Sequence, residues 1–305
     1  MTHSAKILAD SLSPDGVRLT TFEITFPRIV LAEFNTHRMF SRNSASSRAI
    51  PVEKMIKMVM ENPYVSSSWG KNQKGMQADQ EVSPQQAAEA RAGWLNARDC
   101  AVIYAKTLGE IGVHKQITNR LLEPFMWHTV IVTSTEWSNF FHLRDNPQAH
   151  PDIQKIAHMM RELYASPDRQ PKKLDYGEWH LPLVSKEEHY AEAHLEESPR
   201  WEVLRKVSVG RCARVSYLTH DGKRDLSEDI RLHDQLLQNG HLSPFEHVAR
   251  PVDFTRTGDR ELCVEPHPLP WKPALTAKDL FCGNFRGWVS LRKTIPGEAD
   301  ILAPR

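Results

Sequence analysis

The sequence predicts a mixed α+β chain, on three observations. Residues 17–26 alternate, with Phe22, Ile24 and Phe26 on one face and Thr21 and Glu23 on the other, the period of a strand. Residues 85–122 carry Trp94, Leu95, Val102, Ala105 and Leu108 at roughly helical spacing. Residues 225–239 repeat Leu226, Ile230, His233 and Leu237 along an amphipathic helix that Gly240 stops.

The elements follow in chain order. Residues 17–32 read as a strand, a break at Pro27 and a second strand, leading into the Arg/Ser-rich stretch "NTHRMFSRNSASSRA" at 35–49. The helical stretch 85–122 divides after Gly112, where "HKQITNRLL" forms a second piece. "EPFMWHTVIV" begins at a proline and ends in β-branched residues, so it is expected to be extended. Thr133, with Glu136 three residues on, carries the capping-box signature of a helix start. Pro151 opens a further helix with Ile153, Ile156, Met160 and Leu163 on one side. Residues 167–206 are rich in Pro, Lys, Glu and His and read as a connection with little regular structure. "GRCARVSYL" reads as a strand, the 225–239 helix follows, and the tail from 251 carries many prolines before "CGNFRGWVSLRK".

Composition narrows the function classes. The 305 residues include 40% hydrophobic and 25% charged residues, ordinary for a globular protein, with room for one large domain or two smaller ones. A net charge of +1 excludes a strongly basic nucleic-acid coat or membrane-surface protein, while leaving room for a local cationic site. Cys100, Cys212, Cys263 and Cys282 form no CxxC pair and fit neither a zinc site nor a dense disulfide framework, so no metal centre is expected. The opening residues carry no apolar signal core, and no apolar run approaches the ~20 residues of a membrane span. A cytoplasmic location is the expectation.

Four constellations carry chemistry, and each has a plain structural alternative. In the Arg/Ser stretch, arginines offer planar forks of donors for a phosphate, which serines complete. The alternative is a polar loop whose serines cap a helix starting near Pro51. Arg120 in "NRLLEP" stands on a helix before a proline, where a lone arginine reads as a solvated or salt-bridged surface residue. Arg144 in "NFFHLRDNPQAH" is a ligand or a cation at a helix C-terminus. "GHLSPFEH" groups His241, Ser243, Glu246 and His247 without a metal-ligand spacing, and its alternative is a capping box from Ser243 through Pro244 to Glu246.

Together these segments resemble the flavin-dependent thymidylate synthase (ThyX) family. Its central motif is Arg-His-Arg, a gap, then Ser, Asn-Glu and Ser-x-Arg, and "THRMFSRNSASSR" matches at His37, Arg38, Ser41, Asn43, Ser46 and Arg48. It departs at Thr36, where the family has its first Arg, and at Ser44, where the family has Glu. "NRLLEP" resembles the segment that supplies a nucleotide-binding arginine, and "SNFFHLRDNPQAHPDI" the family's "MNFLxLRxDxHAQxEI". "CARVSY" and "GHLSPFEH" resemble the family's opening segment, yet here they come last, at 212–247. The order reads as a circular permutation, with the old ends joined through 167–206. Domain termini often lie close together, and a flexible bridge costs little. The resemblance covers about half the chain.

The resemblance implies an α+β fold, a twisted, mainly antiparallel sheet flanked by long helices. It implies one domain over 1–305: the central motif and helical part at 1–166, the bridge at 167–206, the permuted opening segment at 207–250 and a tail at 251–305. The implied activity is transfer of a one-carbon unit from methylenetetrahydrofolate to C5 of dUMP, giving dTMP, with FAD as cofactor and NADPH as reductant. Implied substrate ligands are Ser46, Ser47, Arg48, Arg120 and Arg144, with Arg144 also catalytic, polarising the uracil. Implied flavin ligands are His37, Arg38, Asn43, Asn139, Ser216, His241, Ser243 and Glu246. Arg286 and Trp288 could stack on a ring, although a packed tail is the preferred reading there. The departures at Thr36 and Ser44 leave open a dUMP hydroxymethylase giving 5-hydroxymethyl-dUMP. A non-catalytic nucleotide- or flavin-binding module, and an unrelated protein with a basic polar loop, are the alternatives of another class. Family members are homotetramers with active sites shared between subunits, so an oligomer is expected.

Overall fold

Two long strands organise the chain. In the computed structural model, which describes residues 1–191, 197–215, 225–256, 258–259, 261–263 and 276–298, β1 (Ser4–Leu12) pairs antiparallel with β2 (Arg18–Pro27) across a tight turn. Gly16 takes φ +78°, a conformation open to glycine at little cost, and its N–H closes the turn on the Ser13 carbonyl. Pro27 ends β2, but the expected second strand does not form. Arg28–Val30 is a 3₁₀ turn and Leu31–Asn35 a short helix, α1, which folds Val30 and Phe34 under the sheet beside Phe26. Burial of those apolar side chains outweighs the β preference of Ile29 and Val30.

The Arg/Ser stretch then supplies β3 (Ser41–Ser44). Helix α2 (Val52–Glu61) begins after Pro51 without a side-chain cap, so the serines of 44–47 are not its caps. The long helix α3 (Pro84–Glu110) starts in a true capping box, Ser83 with Gln86, and buries only Val102 and Ala105. Those two pack with Met55 and Val59 of α2, and with Leu122 and Phe125. Gly112 breaks the helix at φ +84°, and α4 (Lys115–Thr118) and a 3₁₀ turn over Asn119–Phe125 follow.

The extended segment is β4 (Trp127–Ser134), as its β-branched run predicts. It lies between β2 and β3, pairing antiparallel with both, while β5 (Lys172–Lys173) adds in parallel to β1, so the sheet runs β3-β4-β2-β1-β5. Thr133 is therefore not a helix cap. The ladder holds it opposite Thr21, and α5 (Ser138–Arg144) begins later, after Trp137. Helix α6 (Pro151–Ala165) lays Ile153, Ile156, Ala157 and Met160 on Phe22, Ile24 and Phe26, forming the main core.

The sheet's second face, the one that Thr21 and Glu23 share, is also covered: Thr21 is fully buried and Glu23 partly so. Much of that cover comes from segments expected to be irregular or extended. After α7 (Lys186–Ala191), residues Glu197–Arg214 form helix α8, taking in both the end of the supposed connection and most of the supposed "GRCARVSYL" strand. The reason is its partner, α9 (Leu226–Gln238). A Cβ on Gly210 would stand 2.3 Å from the Asp229 carbonyl oxygen, so glycine lets the two helix backbones meet. This packing overrides the β preference of Val207 and Val209. Cys212 and Val215 then bury against Ile131 of the sheet. The inner face of α9 is Asp229, His233 and Leu236, while Leu226 and Leu237 are 37% and 39% exposed, so the apolar stripe is rotated from the expected one.

The tail contributes structure of its own. β6 (Ala249–Pro251) pairs with β9 (Trp288–Ser290), and β7 (Phe281–Cys282) with β8 (Phe285–Arg286). Among the described residues no helix is long and apolar enough to cross a membrane, and no group of His, Cys, Asp and Glu could hold a metal ion.

Candidate functional site

The site is assembled where β3, the residues just after it, and the 3₁₀ turn Ser243–His247 meet. Asn43 points its amide into the end of α8, where Nδ2 donates to the Cys212 carbonyl at 2.8 Å. The turn itself is pinned by a hydrogen-bonded chain through the sheet's second face. Ser11 Oγ meets His180 Nδ1 at 2.8 Å, His180 Nε2 meets Thr21 Oγ1 at 2.8 Å, Thr21 meets Thr133 at 2.7 Å, and Thr133 meets His247 Nδ1 at 2.8 Å. Burial lowers the pKa of His180 and of His247 to about 3, so both imidazoles are neutral and can share protons with hydroxyls. The expected cap by Ser243 does not form: Leu242 holds the cap position, with no side-chain hydrogen bond.

The result is a pocket of about 340 Å³ lined by Asn43, Ser46 and Arg48 from one end of the chain and His241, Ser243 and Pro244 from the other. Gln116 at the start of α4 completes its polar wall. Arg48 is exposed and makes no ion pair among the described residues. A cation, hydroxyls and an imidazole facing one cleft form a donor set suited to an anion.

A second group surrounds Arg144 at the end of α5. Its Nε donates to His37 Nε2 at 3.0 Å and its Nη2 to Thr36 Oγ1 at 3.0 Å. Burial, together with the guanidiniums of Arg144 and Arg42, lowers the His37 pKa to about 4. His37 is therefore neutral near pH 7, with Nε2 as acceptor and the proton on Nδ1. Its ring rests against Phe40 and Phe140. Arg144 is thus oriented by neutral acceptors and pairs with no carboxylate among the described residues.

A third group gathers on Glu123. Its Oε1 accepts from Ser47 Oγ at 2.7 Å, Arg120 Nη1 at 2.8 Å and Arg28 Nη2 at 3.3 Å. Asn119 ties this turn to the motif by donating to the Ser47 and Ile50 carbonyls. Arg120, half exposed, is thus paired as the salt-bridge alternative expects.

The remaining expected residues lie elsewhere. Arg38 and Asn139 are exposed and do not line the pocket. Glu246 pairs with Arg292 and lines a separate cavity with Ser41, Asn284 and Lys293. Ser216 lies outside the described residues. Trp288 is fully buried, with Nε1 donating to the Val17 carbonyl, and Arg286 pairs with Glu136, so neither forms an open stacking platform. Sequence reasoning missed Gln116 and Glu123. Nothing in the local pattern marks Gln116, but Glu123 stands three residues after Arg120, the spacing of a helical ion pair.

A family model described as thymidylate synthase complementing protein, Thy1, matches residues 17–166. Two solved structures of the UMP/dUMP methylase PolB from Streptomyces cacaoi, bound with 5-Br UMP and with 5-Br dUMP, are similar at 15% identity and a TM-score of 0.43. Each similarity covers 53% of this chain, and 89% and 90% of the respective PolB chains. No curated protein matches the chain.

Proposed function

From the premise that residues 17–166 belong to the Thy1 family, we propose that this protein is a flavin-dependent enzyme transferring a one-carbon unit to C5 of dUMP, with dTMP as product. The observation that carries the reading is the shared pocket: Asn43, Ser46 and Arg48 of the central motif stand beside His241 and Ser243, almost two hundred residues later. In a chain whose family segments run in an altered order, this convergence supports circular permutation. The Asn43 bond to Cys212 and the Thr133 bond to His247 stitch the displaced segment to the sheet.

The residues fit an anionic nucleotide beside a flavin. Arg48 and Ser46 would hold the dUMP phosphate and sugar, with Ser47 and Arg120 at the Glu123 cluster bordering them. Asn43, His241 and Ser243 would hold the flavin edge, with His37, Arg38 and Asn139 as further flavin contacts. FAD, when bound and reduced by NADPH, supplies the electrons that accompany the methylene carbon from methylenetetrahydrofolate.

Uracil C5 is a poor nucleophile, and the chain's own contribution is to raise its electron density. Arg144, held by His37 and Thr36, would place positive charge on the uracil and favour negative charge at N3. Neutral His37 keeps that charge from being cancelled. Cys212, the cysteine nearest the pocket wall, is fully buried and burial raises its thiol pKa, so it is no thiolate nucleophile.

A second reading, 5-hydroxymethyl-dUMP as product, is favoured by one feature. Thr36 stands where the family places an arginine, and it accepts a hydrogen bond from Arg144 in place of supplying a second cation. An altered charge balance at that point changes which nucleophile, hydride or water, completes the reaction. We also read the exposed Ile103, Tyr104, Ile111, Ile117 and Leu121, on and after α3, as a face for subunit association, in keeping with a homotetramer.

The test is direct. The purified protein should be yellow or take up FAD. With dUMP, methylenetetrahydrofolate, FAD and NADPH, mass spectrometry should find dUMP gaining a methyl or a hydroxymethyl group. A protein that binds no flavin and yields neither product would overturn both readings.

A further inference from the structure

A cavity of about 480 Å³ lies away from the pocket described above, lined by Tyr176, Gly177, Trp179, Trp201, Arg205, Asp253 and Arg256. Its walls come from the stretch 176–256, beyond the Thy1-matched residues, and no role above uses them. The volume is in the range of small-molecule sites, roughly 300–1,000 Å³. We propose that this cavity binds a planar heteroaromatic anion, a ring bearing N–H groups joined to a phosphate or carboxylate.

Three features select that chemistry. First, the wall is aromatic: Trp179 and Trp201 are each only 6% exposed, with Arg205 and Arg200 over their rings, and they back the half-exposed Tyr176, the ring open to a ligand, which is anchored by its hydroxyl to Asp15 at 3.0 Å. Fixed aromatic surfaces suit a planar ring. Second, the cations are available. Arg205 lies over the Trp179 ring at 4.6 Å and spends its Nε on the Trp201 carbonyl, and neither it nor Arg256 has a carboxylate ion pair among the described residues. By contrast, the nearby Arg250 is held by Asp259. Burial lowers the Arg205 pKa, Glu202 opposes that shift, and the like charges of Arg250 and Arg256 add to it, so an anion entering here would meet cations that Glu202 and Asp253 offset only in part. Third, Asp253 supplies an acceptor on the same wall. Its Oδ1 takes hydrogen bonds from Thr255 N and Oγ1, and this fixes the carboxylate where a ring N–H could meet it. A simple inorganic anion would gain nothing from the Tyr176 ring and would be repelled by Asp253.

Both nucleotides and pterin carboxylates have this chemistry, and titration calorimetry separates them. dUMP, dGMP and folinate are titrated into the full chain, with inorganic phosphate as the comparison. At least one aromatic anion should bind, and Arg205→Gln with Arg256→Gln should weaken it roughly tenfold or more. Because dUMP also enters the pocket at Arg48, the separation of the two sites is read with dGMP and folinate: their binding should depend on Arg205 and Arg256, and excess dUMP should not displace them by more than about twofold. Should the double variant misfold by circular dichroism, Arg256→Gln alone, at an exposed position, decides the matter with an expected loss of about threefold. The proposal is overturned if no aromatic anion binds in a way that depends on these arginines, or if inorganic phosphate binds as tightly as the aromatic probes.

Discussion

Two sets of arginines in this protein have opposite surroundings. Behind α8, Arg211 is held on both sides, its Nη groups meeting both carboxylate oxygens of Glu188 at 2.8 and 2.6 Å and its Nε meeting Asp229 at 2.8 Å. Arg214 closes on the other oxygen of Asp229, which is fully buried. At the end of α5, Arg144 is held by a neutral imidazole and a hydroxyl, and at the pocket Arg48 pairs with no carboxylate among the described residues. The paired set holds two helices together. The unpaired set retains its charge for something outside the chain. Compensation, more than residue type, separates a structural arginine from a binding one.

The strongest way to break this comparison is at Asp229. Asp229→Ala removes the buried carboxylate that Arg211 and Arg214 share, leaving Glu188 to hold Arg211, and should cost about 3 kcal/mol by urea denaturation. A loss under about 1 kcal/mol would show that the network is not what joins α8 to α9. Arg144→Ala should do the reverse: unfolding stability within about 1 kcal/mol of the parent, flavin absorbance retained, and turnover of dUMP reduced about 100-fold or more. Full activity would remove Arg144 from the chemistry. Arg48→Ala should act more mildly, raising KM for dUMP about tenfold with kcat little changed, since its contact is made equally in ground and transition states. A fall in kcat with KM constant would move Arg48 from binding to catalysis.

The gentlest effect near neutrality comes from histidine. Burial, with the like charges of Arg144 and Arg42, lowers His37 to about 4; burial also lowers His180 and His247 to about 3, and His128, beside Arg28, to about 3. All four are neutral when folded, whereas in the unfolded chain each takes a proton near pH 6.5. The unfolded state binds more protons below that value, so stability is fully present above about pH 7 and declines as pH falls from about 6.5 toward 4. Thermal melts across pH 8 to 4 should show a plateau and then a descent. A melting temperature that rises on acidification would reverse the assignment of neutral buried imidazoles.

Legibility in the sequence followed locality. Helix α6 was readable because its apolar positions face one slab of phenylalanines at regular spacing, and Pro151 marks its start. The helix at 197–214 was not, because its valines favour strands in isolation and the contact that makes it a helix, Gly210 against Asp229, joins residues nineteen apart through packing alone. Thr133 and Glu136 satisfied a capping pattern, yet two neighbouring strands claimed Thr133 for their ladder.

The chemistry of the pocket was fixed by the chain's own order of residues: arginines with planar donor forks, serines and an asparagine in 37–48, and a histidine and serine in "GHLSPFEH". Those side chains carry their donors and charges wherever they are placed. Only the tertiary structure decided which of them act together. It set Arg48 beside His241, sent Glu246 to Arg292, and tied Arg120 to Glu123. Hydrogen bonds and ion pairs weaken within a few ångströms, so which partners meet is settled by how the sheet and helices pack.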